Sequence, residues 1–296
     1  MAMFNTDCLS FGWHPDIPDF RDYRPQSSRV SELLGQLKAS GSKRKRLPTK
    51  VDLREYFPQI YDQGNLNSST SHACIGLFEY FQTRAFGTRL APSRLFLYKT
   101  TRNLLGLSGN VPVSLRSCLK AMRSCGIPPE RLWAYDEEKL DVQPDAYLFS
   151  FADQYRDFCY VRLDAQGATG ITTLKTVKSF LAAGFPSAFG LPIASSLSQD
   201  GHIQYRPTFD TIRDGQAMVA VGYDDKRLDA ARGALLIRSS WGRSWGEEGY
   251  GWLPYAYVEK LIALDFWTLL REDWVATAEY TRPRISASVT AKTSYR

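Results

Sequence analysis

The chain has 296 residues, 44% hydrophobic and 23% charged, and its 37 Lys+Arg against 31 Asp+Glu leave a formal net charge of +6. That length buries a full core, in one large domain or two small ones, and the plentiful aromatics exclude a chain disordered throughout. The longest nearly uncharged stretch, 180–198, is broken by Gly184, Pro186, Gly190 and Pro192, so no membrane span of about 20 apolar residues is expected; nor does the N-terminus MAMFNTDCLSFGWHPD read as a secretory signal.

Residues 1–50 read as an arm and linker. Gly12 to Tyr23 mixes Gly, Pro and Asp turn chemistry with aromatics, which predicts an extended strap over a surface, anchored by Trp13 and Tyr23. A short helix is expected over 31–38 and a linker over 39–50, with the basic run Lys43-Arg44-Lys45-Arg46. A domain then begins near Val51. The hydroxyl- and amide-rich run 67–71 precedes apolar residues at 73, 75, 77, 78, 80 and 81, which predicts a long, largely buried helix over 69–86. Further helices are expected over 92–105 and 113–125, the latter stopped by Gly126 and Pro128-Pro129. From 158 onward the pattern changes. Short apolar runs at 158–163, 187–191, 216–223, 234–239 and 249–253 predict antiparallel strands, with a helix over 173–183 between them. Helices first and strands second give an α+β class: a helical lobe over about 51–157, a β-rich lobe over about 158–275, and a flexible basic tail over 276–296.

The five cysteines are odd in number and irregularly spaced. Cys118 and Cys125, seven apart on a helix, stand about 10 Å apart along its axis, beyond disulfide reach. With no signal visible, this favours a reducing cytoplasm. No spacing of Cys and His points to a metal, and no cofactor is expected. The basic ends read as solvated segments rather than nucleic-acid contacts.

Three segments, in order, carry a resemblance: YDQGNLNSSTSHA at 61–73, DGQAMVAVGYDD at 214–225 and IRSSWGRSWGEEGYG at 237–251. They resemble the active-site blocks of papain-like cysteine peptidases, in the bacterial form whose arm reads GWxPDxPDxRDY, as residues 12–23 do here. The resemblance implies a papain-like two-lobe fold with a cleft between a helical lobe and a β-barrel-like lobe. It also implies a thiolate at a helix N-terminus, a His acting as base and acid, an Asn orienting it, and a Gln with a backbone N–H for the oxyanion. The oxyanion Gln matches Gln63, and the Trp shielding the Asn–His pair matches Trp241. The nucleophile position is Ser69, the base position Gln216 and the orienting position Ser239. All three triad members are therefore changed, and Asn67 replaces a small Gly.

An amide at position 216 cannot carry a proton at neutral pH, so no catalytic residue is expected among Ser69, Gln216 and Ser239. His202, in a loop over 195–209, is the candidate rescue base; His72 points along the helix, and His14 lies in the arm. Without the chemistry, a donor-rich pocket remains. Gln63, Asn67, Ser68, Ser69 and Gln216, with Thr70, Ser239 and Trp241, would line it, and the edge at Gly109-Asn110 would pair with a ligand's main chain. The expectation is an inactive pseudopeptidase that binds a peptide or protein partner, with no membrane and no nucleic acid. The alternatives are an acyl- or peptidyl-transfer enzyme using Ser69, and a structural or chaperone-like subunit acting through its outer surface.

Overall fold

The computed structural model describes residues 11–17, 19–40, 46–227, 233–277 and 279. The run at 43–45 and the tail beyond 279 lie outside the described residues, as does Cys8. Helix α1 (Ser28–Ser40) begins before the expected 31–38 and takes in the start of the expected linker. Helix α2 (Ser69–Phe86) has the expected bounds and ends where Gly87, at φ +68°, donates its N–H to Thr83 O, a left-handed cap that favours glycine. Nearly all of α2 is buried, which explains its apolar character on every face. Helices α3 (Arg94–Leu104) and α4 (Leu115–Cys125) start at Ser93 and Ser114, whose hydroxyls accept from the N–H groups of Phe96 and Ser117. Helix α5 (Ala146–Ala152) rests on Gly126, where a Cβ would overlap the Ala152 backbone.

The second half holds β2 (Cys159–Arg162), α6 (Gly170–Ala182), β3 (Ser187–Ala194), β4 (Ile212–Asp224), β5 (Ala234–Arg238), β6 (Tyr250–Pro254), α7 (Ala256–Glu259), β7 (Leu264–Leu270) and α8 (Glu272–Ala276). The strands pair in the order β2-β7-β3-β4-β5-β6, and β1 (Lys50–Asp52) adds to β4. Every pairing is antiparallel, and the class is α+β. Three boundaries differ from the sequence reading. Lys50 is strand rather than linker and pairs with Asp224, so the chain enters through the sheet before it builds the helical half. Strand β7, absent from the expected set, runs between β2 and β3; buried on both faces, it shows no alternation of polar and apolar residues. Ala276 closes α8, so the packed chain continues past 275. No helix of the described residues is long and apolar enough to cross a membrane.

The arm is held by charge. Arg116 at the start of α4 bonds both carboxylate oxygens of Asp22 and the Ile17 carbonyl, and its N–H donates to Asp16 at 2.9 Å. Asp16 N–H donates to Asp265 on β7, and Arg162 N–H donates to the Tyr23 carbonyl. Arg162 also pairs with Asp164 and Asp265. Burial and the nearby Asp16 push the Asp265 carboxyl up to about 7. Trp13 is buried at 4% exposure and Tyr23 is half-buried.

At the far end, Trp274 of α8 stacks on Phe81 at 5.0 Å and donates from Nε1 to Gln82 Oε1 at 3.1 Å. Trp274→Ala empties this site and leaves the Gln82 acceptor short of a partner, so it is expected to cost about 3–5 kcal/mol. Urea unfolding monitored by circular dichroism checks it; a loss below about 1 kcal/mol would place α8 outside the cooperative core.

Candidate functional site

Ser69 is the first residue of α2, and its Oγ accepts the N–H of Ala217 on β4 at 3.0 Å. This bond joins the helix N-terminus of one lobe to the strand of the other. Ser68 Oγ lies 2.7 Å from Tyr135 OH and 3.3 Å from His72 Nδ1. Ser68, Ser69, Thr70, Gln63 and Gln216 are all 0% exposed. These groups are donor-rich but closed to solvent, their hydroxyls and amides spent largely on one another.

Gln63 is the centre of this network. Its N–H donates to Ser240 O at 2.8 Å, and its Nε2 donates to the carbonyls of Phe11 and Leu66 at 3.0 and 2.9 Å. Its Oε1 accepts from Gln216 Nε2 at 2.9 Å and from Ser240 Oγ at 2.6 Å. Gln216 Nε2 also donates to Ser240 Oγ at 3.2 Å, while Gln216 Oε1 has no partner among the described residues. Ser239, the expected orienting position, does not join this group. Its Oγ donates to Gly249 O at 3.1 Å, because consecutive residues leaving β5 face opposite ways and Ser240 takes the inward position. Ser240 is the residue that sequence reasoning missed; its adjacency to Ser239 was the available signal.

The arm fills the cleft between the lobes. Gly12 and Trp13 N–H groups both donate to Gly215 O, at 3.0 and 2.9 Å, and Val113 N–H donates to Gly12 O at 3.2 Å. Phe11 N–H donates to Asn67 Oδ1 at 3.2 Å. The Phe11 ring meets Trp241 edge-on at 6.4 Å, and Trp241 in turn packs against Trp245. Main-chain pairing on the helical lobe thus runs through Val113 rather than the expected Gly109-Asn110 edge. Gly109 is already held by Asp141 and Arg102. Asn110 spends its side chain on Asn65, Asn67 and Tyr98. Asn67 thereby becomes a rigid platform for the arm.

The histidines stand apart from this chemistry. His202 N–H bonds Asp200, its ring nitrogens lie 3.3–3.4 Å from Arg227, and it bridges Trp252 on β6. None of these contacts reaches Ser69 or Gln216. His14 is exposed on the arm. His72 is buried behind Ser68, and burial with the nearby Arg94 pushes its pKa down to about 3. It stays a neutral imidazole. Behind it Tyr61 OH lies 3.3 Å from Glu79 Oε1 and Arg94 stacks on Tyr61 at 3.7 Å, while Arg238 is fixed by the carbonyls of Pro58 and Gln59. Burial raises the Glu79 carboxyl to about 8 despite these two guanidinium groups. Among the described residues no cluster of His, Cys, Asp and Glu is placed to hold a metal.

The same arrangement of lobes occurs in xylellain, a cysteine protease from Xylella fastidiosa, which superposes with a TM-score of 0.71 at 28% identity over 89% of this chain and 97% of that one. The fold is papain-like. A digestive procathepsin L2 proteinase from Tenebrio molitor superposes with a TM-score of 0.65 at 18% identity, covering 88% of this chain and 78% of that one. In sequence, an uncharacterized peptidase C1-like protein of Acanthamoeba polyphaga mimivirus is 28% identical, covering 90% of this chain and 88% of its own length. A cathepsin L-like proteinase of Fasciola hepatica is 21% identical over 77% of this chain and 67% of its own. No family model matches the chain. These relatives support the papain-like cysteine peptidase family.

The papain-like core keeps the carboxyl of Glu79 buried in the middle of α2. With a folded pKa of about 8 above the ordinary 4.5, the folded chain holds a proton that the unfolded chain has released between those pH values. This contribution therefore falls as pH rises from about 4.5 to about 8. Glu79→Gln is expected to gain stability relative to the parent between pH 5 and pH 8, read from urea midpoints. An equal difference at the two pH values would contradict the burial argument.

Proposed function

We propose that this chain is a papain-like pseudopeptidase that holds a peptide segment in its cleft without cutting it. The observation that carries the reading is the Phe11 carbonyl bonded to Gln63 Nε2 beside Ser69, with an amide, Gln216, where a proton carrier is needed. A serine hydroxyl attacks a carbonyl only if a base takes its proton within hydrogen-bond reach. Ser69 Oγ is instead bonded by the Ala217 N–H, and Gln216 offers no titratable group. Position 239 adds nothing, since its hydroxyl is committed to Gly249 O. The match of Ser69, Gln216 and Ser239 to the triad positions of the peptidases is part of this reading, as is the absence of activity. Xylellain is a cysteine protease by name; the inference here is that the shared scaffold kept peptide binding and lost hydrolysis. Free thiols at Cys74, Cys118, Cys125 and Cys159 support a setting in the cytoplasm.

The test is turnover. The parent chain and a Gly12→Ala variant, whose added Cβ would overlap Asn67 O and loosen the arm, are incubated with a peptide mixture and with p-nitrophenyl esters. Neither is expected to release product above the buffer rate. Product release that disappears on Ser69→Ala would overturn the reading and make the chain an enzyme.

A further inference from the structure

Two thiols that the cleft does not use meet inside the helical lobe. Cys74 lies on α2 and Cys118 on α4. Both are 0% exposed and belong to the apolar core, with Leu115, Leu119 and Met122 of α4. Their side chains are hydrogen-bonded to each other, so the two sulfurs are in contact where α2 packs on α4. Burial first, and then this bond, push the Cys74 thiol well up from its ordinary value. It stays a protonated thiol at neutral pH. The other described cysteines are placed differently. Cys125 is the half-buried last residue of α4, and Cys159 is buried on β2. A lone thiol in an apolar core packs as a small apolar side chain. Two thiols in contact on separate helices have a further chemistry open to them.

We propose that Cys74 and Cys118 are an oxidation site, a thiol pair that hydrogen peroxide closes into a disulfide stapling α2 to α4. One sulfur loses its proton and attacks a peroxide oxygen; the O–O bond breaks, a sulfenic acid forms, and the departing hydroxide takes up that proton as water. The second sulfur then attacks the sulfenic sulfur; the S–S bond forms, the S–O bond breaks, and a second water leaves with the second thiol proton. Two thiols thus lose two electrons and two protons, and one peroxide becomes two waters. The sulfurs close from contact to about 2 Å. With neither sulfur exposed, the oxidant reaches them only when α4 opens from α2, so local opening sets the rate. Small thiols return the disulfide to the dithiol by exchange. The staple closes the 74–118 loop, which restricts the unfolded chain. It also ties the helix that begins at Ser69 to the helix that carries Arg116. The site stands apart from the cleft and holds whether or not the chain turns over a substrate.

The full chain is treated with hydrogen peroxide, in buffer and in urea just below its unfolding transition. Remaining thiols are blocked with N-ethylmaleimide, and the chain is digested with trypsin without reductant. The expected product is peptide 55–84, which holds Cys74, joined to peptide 117–120, which holds Cys118. It is expected to form faster in urea than in buffer. The oxidised chain is expected to unfold at a urea midpoint about 1 M above the reduced chain, and dithiothreitol reverses the rise. Cys118→Ala is expected to abolish both the linkage and the rise, while Cys125→Ala keeps both. Linkage of Cys74 or Cys118 chiefly to another cysteine would overturn the proposal, as would sulfinic or sulfonic acid at Cys74 without linkage. Unreacted Cys74 and Cys118 in both solutions, with Cys125 oxidised in the same samples, would overturn it too. A linked chain whose midpoint does not rise would contradict the staple, and equal rates in the two solutions would contradict the gating by burial.

Discussion

The side-chain amide of Gln63 is the joint on which the site turns. Its two N–H donors go to Phe11 of the arm and Leu66 beside the α2 N-terminus. Its oxygen accepts from Gln216 of the sheet lobe and Ser240 of the β5 exit. One fully buried group with four described side-chain bonds thus fixes the arm, the helical lobe and the sheet lobe in one arrangement. In a site this dry, an amide left without partners costs far more than a single bond returns, so the group behaves as a unit. Gln216 Nε2 and Ser240 Oγ both donate to the Gln63 oxygen, and Gln216 Nε2 also donates to Ser240 Oγ, so the three side chains close one network.

Gln216 holds Gln63 through its amide and brings no group that titrates near neutral pH. Ser69 still marks the helix N-terminus, but its hydroxyl closes the lobes together through Ala217. His72 is held neutral by burial, and His202 contacts Asp200, Arg227 and Trp252. The backbone of the arm is aligned between the lobes by its bonds to Gly215 and Val113.

Much of this was legible in the sequence, for physical reasons that differ from place to place. The bounds of α2 followed from its capping residues and apolar run, and the α+β plan from the change of period near 158. Lys50 and β7 were missed because a strand of three residues has no period and a strand buried on both faces has no alternation. The switch from Ser239 to Ser240 turns on which way one residue faces, and a motif match does not record facing. The shift of the pairing edge from Gly109-Asn110 to Val113 depended on where Asp141 and Asn67 found partners, and these are contacts between residues far apart in sequence. Trp13 was legible as an anchor. The surface it anchors to became visible only once Gly190 of β3 and Gly215 of β4 lay against the same indole.

The central claim is that the arm occupies the cleft as a ligand held through Gln63. Hydrogen exchange at the Gly12 and Trp13 amides of the full chain, with and without Gln63→Ala, tests it most directly. The account predicts protection at both amides in the parent, comparable with the interior of β4, and loss of that protection in Gln63→Ala while β5 stays protected. Exchange of Gly12 and Trp13 in the parent at the rate of an unstructured peptide would contradict it.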